Sequence, residues 1–79
     1  MPRPQRSALV RLFGRNLRTA RHRAGLSQEA LAEHAGLHPT YIGLVERGQR
    51  NISLVSVERL AKALAVAPWE LLHPGRGMK

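Results

Sequence analysis

The chain has no cysteine and no aspartate. Without thiols there is no disulfide framework and no thiolate metal site, which suits a reducing compartment. Five glutamates are the only acids, and neither they nor the serines and histidines fall at the spacings that acid–base or nucleophilic catalysis requires, so no enzyme is expected. No glycine-rich phosphate loop is present, and no cofactor is implied. His34 and His38 stand four apart, a ligand spacing on a continuous helix, but Gly36 and Pro39 interrupt that helix, so no metal site is expected. Tryptophan, tyrosine and phenylalanine occur once each. The core must therefore be aliphatic, and the stacking platform that single-stranded RNA needs is missing. No apolar run is long enough for a signal peptide or a membrane span, which points to the cytoplasm and to no membrane partner.

What the chain has is positive charge. Thirteen basic residues against five acids give a formal charge of +8, and eleven of the thirteen are arginine, whose planar fork grips phosphate. Arg3, Arg6, Arg11, Arg15, Arg18, Arg21 and Arg23 all precede the first acid, Glu29. Such a run steers a protein toward a polyanion, or is simply a solvated face. Seventy-nine residues make one small domain with one modest core, which buries about 60% of its unfolded surface.

Residues 1–6, with two prolines and two arginines, read as a flexible basic arm, and the compact domain is expected over residues 7–73 with a flexible tail at 74–79. Ser7 is a candidate cap for a helix running to Ala24 and ending at Gly25. At 100° per residue Leu9, Phe13, Leu17, Ala20 and Ala24 share its apolar side, and Arg11, Arg15, Arg18 and His22 form a stripe nearly opposite. The apolar face is too narrow and alanine-rich for a membrane-surface helix. Ser27 caps a second helix with Leu31, Ala32 and Ala35 on one stripe, and Gly36 stops it. Pro39 opens a third with Ile42 and Val45 as its buried edge, and Gly48 ends it. Ser53 caps a fourth from Leu54 to about Ala65, with Leu54, Val57, Leu60, Ala61 and Leu64 as the buried stripe. Pro68 precedes a short last helix, Trp69 to Leu72. The fold class is all-α, with five helices and no strand.

The segment Gln28–Arg47 is thus helix, tight turn, helix. A turn that short forces the helices to cross steeply, with Ala32 as the small residue at the crossing. Two readings are open from these residues alone: a helix-turn-helix that puts the start of its second helix in the DNA major groove, or an ordinary helical hairpin.

The residues Gly25-Leu26-Ser27-Gln28, Leu31-Ala32, Ala35-Gly36, Tyr41-Ile42-Gly43, Val45-Glu46-Arg47-Gly48, Arg50-Asn51-Ile52-Ser53-Leu54 and Leu60-Ala61-Lys62-Ala63-Leu64 together resemble the phage repressor and Cro (XRE-type) regulators, over about Phe13 to Leu72. The Thr-Tyr-Ile-Gly and Arg-Asn-Ile-Ser-Leu pieces are similar to the small controller proteins of restriction-modification systems, and single-domain repressors and antitoxins share much of the pattern. The resemblance implies a compact five-helix repressor-like domain that binds double-stranded DNA. It places Gln28 on a phosphate or nearby base, and His38, Pro39, Thr40, Tyr41 and Leu44 along the start of the recognition helix. Arg47, Arg50 and Asn51 would contact DNA from the following loop, and Arg21 and Glu46 would form a partly buried ion pair tying the first helix to the recognition helix. Pro39, Gly43 and Leu44 stand where relatives often carry Arg, Gln or Ser, so direct base readout is expected to be thin and DNA shape to matter more. His38 and Ala67 replace the usual Ser or Thr caps, and Ala65 replaces a common Gly.

Few base-reading groups imply a homodimer on a near-palindromic operator, and the resemblance implies a role in transcription regulation. Val66, Trp69, Leu71 and Leu72 are the expected dimer surface, against the alternative that Trp69 closes the core. The rival from another class is an antitoxin or protein-interaction adaptor using the same domain. Salt discriminates the two, because phosphate contacts make DNA affinity fall steeply with ionic strength.

Overall fold

A computed structural model describes residues 7–75. The readings for the arm at 1–6 and for the tail beyond Gly75 lie outside these residues. Four α-helices follow one another: α1 Ala8–Arg23, α2 Gln28–Ala35, α3 Pro39–Glu46 and α4 Leu54–Leu64. The last element, Pro68–Leu72, is one turn of 3-10 helix rather than a fifth α-helix, and it starts at Pro68 rather than Trp69. No strand occurs among the described residues.

Capping chemistry sets the boundaries. Ser7, Ser27 and Ser53 each accept a hydrogen bond from the backbone N–H three residues on, at 3.2, 3.0 and 3.0 Å. At α3 the imidazole Nδ1 of His38 replaces the usual hydroxyl and accepts from Thr40 N–H at 3.1 Å. Every helix closes on the same backbone device. An N–H just past the helix end reaches back to a carbonyl five residues earlier: Leu26 to Arg21, Leu37 to Ala32, Gln49 to Leu44 and Val66 to Ala61, at 2.9 to 3.1 Å. The device requires a residue of positive φ just before that N–H. Gly25, Gly36 and Gly48 supply it at about 70°, whereas α4 forces Ala65 to φ 59°, the sole non-glycine residue at positive φ among those described.

Phe13, Leu17, Leu31, Ile42, Val45, Leu60 and Leu71 are fully buried and form one core to which every element contributes. Helix α1 packs on α3 and on the 3-10 turn, and α4 packs on α2 and on that turn. Ala32 is buried at the α2–α3 crossing as expected. The tightest approach is elsewhere: a Cβ on Gly14 of α1 would collide with the carbonyl oxygen of Val45 and come within 2.9 Å of that of Glu46. A second long-range tie is Asn16, buried in α1, whose amide donates to the carbonyls of Leu71 at 2.9 Å and His73 at 3.0 Å.

Three assignments to the apolar face are corrected. Leu9, in the first turn of α1, is 56% exposed, and Ala24, the residue that caps its end, is exposed as well. Leu54 is 81% exposed: the first turn of α4 overhangs the elements that cover Val57, Leu60, Ala61 and Leu64.

Candidate nucleic-acid interface

The site is built around one carboxylate. Glu46, in the last turn of α3, receives Arg21 Nε at 2.6 Å and Arg21 Nη2 at 3.1 Å, a two-pronged ion pair between α1 and α3. Arg21 also donates through Nη1 to the carbonyl of Leu26 at 2.9 Å, which fixes the connection into α2. Gln28, the first residue of α2, donates to Glu46 Oε1 at 3.1 Å. Three helices are therefore clamped at one point that is nearly closed to solvent, with Arg21 8% and Glu46 9% exposed. The hydrogen bond to Glu46 is the main reason the Arg21 guanidinium titrates above its ordinary value; burial opposes it without reversing it, and the charge of Glu46 adds to it. Arg21 thus stays charged across the pH range in which proteins fold, and Glu46, which would otherwise repel a phosphate, is neutralised.

From this clamp α3 presents His38 and Thr40 to solvent, with Pro39, Tyr41 and Leu44 half-buried beside them. Gly43 is buried rather than facing outward. A Cβ there would meet Arg47 Nη1 at 3.4 Å and Gln28 Oε1 at 3.5 Å, so the space a side chain would occupy is roofed by two of the expected contact residues. The loop after α3 holds Arg47, Arg50 and Asn51, all exposed. Arg47 Nε donates to Gln49 Oε1 at 3.2 Å, the Tyr41 hydroxyl lies 3.4 Å from the carbonyl oxygen of Asn51, and Asn51 Oδ1 accepts from Ile52 N–H at 2.9 Å. These bonds preorganise the loop without using the amide nitrogen of Asn51 in any of them, and Arg47 and Asn51 both remain exposed.

Gln28, Thr40, Tyr41, Leu44, Arg47, Arg50 and Asn51 thus belong to α2, α3 and the loop that the Arg21–Glu46 clamp holds together. His38 serves first as a cap. The expected dimer set separates. Leu71 is 2% exposed and belongs to the core; Val66 lines a depression against α1 beside Asn16 and Glu70; Trp69 and Leu72 line a groove on the other side with Leu54 and Val55. Trp69 itself is 72% exposed, so it does not close the core. Gln49, Gly14 and Asn16 were not singled out from the sequence. Only Asn16 carried a signal there, as a polar residue on the apolar arc of α1. Among the described residues no three metal-binding side chains gather at one point, and no helix is long and apolar enough to cross a membrane.

A family model described as a helix-turn-helix domain matches residues 12–73. The chain is similar to the control protein C.BamHI of Bacillus amyloliquefaciens, 48% identical over 62 residues that span 77% of this chain and 76% of that protein. The crystal structure of the restriction-modification controller protein C.AhdI from Aeromonas hydrophila superposes with a TM-score of 0.79 at 52% identity, covering 82% of this chain and 98% of that one. A hypothetical transcription factor from Neisseria superposes at 0.84 and 40% identity over 95% of this chain and 86% of that one. The chain belongs to the XRE-type helix-turn-helix regulators, which are DNA-binding transcription regulators and not enzymes, and its relatives include restriction-modification control proteins.

Proposed function

We propose that this chain binds a near-palindromic operator in double-stranded DNA as a homodimer and regulates transcription from it. The observation that carries this reading is the Arg21–Glu46–Gln28 clamp, because it ties α1 and the start of α2 to the end of α3, beside the donor-bearing loop, with the charge of Glu46 answered by Arg21. In the major groove, Thr40 and Tyr41 are the polar groups of α3 near the base edges, and Leu44 touches a thymine methyl. Gln28, Arg47, Arg50 and Asn51 hold the phosphates on either side of the groove. His38 and Pro39 stand at the tip of α3 and set its approach.

The partner in the dimer is a second copy meeting the face formed by Leu54, Val55, Trp69 and Leu72. Leu54 lies only three residues after Asn51, so a twofold axis through this face sets two DNA-contacting loops side by side, which is the arrangement two half-sites about one helical turn apart demand. A self-complementary apolar patch of this kind is what an isologous interface uses.

The test begins with selection of sites from a random duplex pool, which should yield two related half-sites. Arg50→Ala should then weaken binding to selected and mixed-sequence duplex alike and flatten the salt slope by about one unit, whereas Thr40→Ala should weaken only the selected site. A pool that yields no enriched site, together with binding insensitive to salt, would overturn the reading in favour of a protein partner.

A further inference from the structure

The clamp and the loop leave the basic stripe of α1 without a role. Arg11, Arg15 and Arg18 are all exposed and recur at helical spacing on one face, and α1 contains no acidic residue. Neither Arg15 nor Arg18 is matched by an acidic partner among the described residues. The stripe is continuous with the surface just described. Gly48, the residue that turns the chain out of α3, packs so closely on Arg11 that a Cβ there would sit 3.0 Å from Arg11 Cγ and 3.5 Å from its Cα. The end of the stripe therefore abuts the turn from which Arg47, Arg50 and Asn51 extend.

We infer that Arg11, Arg15 and Arg18 form a second phosphate track, which grips the duplex backbone bordering the groove that α3 enters. Arg11 to Arg18 is seven residues, about 10 Å of helix rise. Phosphates along one DNA strand recur about every 3.4 Å of axis and lie farther apart along the turning backbone, so guanidiniums on long stems spread over that rise reach roughly two or three of them. Arginine suits the task because its fork takes two phosphate oxygens at once, and the track carries no sequence information: it adds affinity and register without changing which operator is chosen. The inference rests on the proposed DNA-binding function and extends it to a helix outside the helix-turn-helix.

The test compares two charge-matched double variants, R15Q/R18Q on α1 and R59Q/K62Q on α4, whose main packing partners are α2 and the 3-10 turn. Each loses two positive charges at exposed positions, so each should melt like the parent protein. Binding to a mixed-sequence duplex of roughly three helical turns is titrated over a range of salt concentrations, with Arg50→Ala as the reference. The salt slope should become shallower by nearly two units for R15Q/R18Q, at about 0.9 per phosphate contact, and stay at the parental value for R59Q/K62Q. Equal loss in both pairs would mean a diffuse field and would overturn the track. A parental slope in R15Q/R18Q while Arg50→Ala loses its unit would also overturn it, leaving α1 as a solvated face or a site for an acidic protein and the DNA-binding function intact. Absence of salt-dependent duplex binding by the unmodified protein would overturn both.

Discussion

At the scale of single residues the decisive chemistry is the Arg21–Glu46 pair. Burial of two opposite charges contributes little net stability by itself, but removal of one partner leaves the other desolvated and unanswered, at a cost on the order of 3 kcal/mol. Glu46→Ala should therefore lower the melting temperature by roughly 10 °C or more, while Glu58→Ala, at an exposed position of α4, should shift it little. Thermal unfolding followed by helical circular dichroism measures both, and similar small shifts would show that the clamp is not structural. Glu46→Ala also frees Gln28, so its loss of DNA affinity should exceed what instability alone explains.

At the scale of elements, the telling position is Ala65. Its φ of 59° is one an L-residue with a Cβ adopts at a cost of about 1–2 kcal/mol, part of which glycine would return through the larger entropy of its unfolded chain. Ala65→Gly should raise the urea midpoint, by about 0.5–1 kcal/mol in stability, with the m-value unchanged. No gain would mean that the end of α4 is held by Val66 and the 3-10 turn rather than by its own backbone. The same scale shows what was readable in the sequence. Ser7, Ser27, Ser53, Gly25, Gly36 and Gly48 mark helix ends through chemistry confined to a few neighbours, so those boundaries were legible. Arg21–Glu46 was legible only through family resemblance, since nothing in either helix alone points across 25 residues. Gly14 was not legible, and Asn16 showed only as a polar residue on an apolar arc, because the atoms they meet lie far along the chain and belong to the backbone, which leaves no residue-type signature for the partner. Leu54 was assigned to the wrong face for a related reason: helical periodicity tells which residues share a face, not how far the covering element extends.

For the whole molecule, the question is how a domain this small with two weak readers on α3 distinguishes one site among many. Duplication is the physical answer, and the face around Leu54, Val55 and Trp69 is where it would occur. Trp69→Lys and Leu54→Lys exchange exposed apolar side chains for charge, so neither should disturb the monomer's melting appreciably. Together they should convert a concentration-dependent dimer to a monomer in sedimentation and abolish tight binding to a paired operator, while binding to mixed-sequence duplex persists through the phosphate contacts. An unmodified protein that sediments as a monomer at every concentration would remove this face from consideration.

The amide of Asn16 has a consequence in time as well as in space. It holds carbonyls 55 and 57 residues downstream, and Leu71, beside one of them, fills the core that α1 lines. Contacts of such sequence separation form late, because the intervening chain must first be brought together. The Asn16 side of the first helix is thus among the last parts of the core to be secured. Until His73 has left the ribosome, α1 has neither its amide partners nor the leucine that seals it. A chain that ends before Leu71 keeps the Arg21–Glu46 tie between α1 and α3 but lacks the carbonyls that Asn16 holds and the leucine that completes the core, so α1 is only half secured until the last turn is in place.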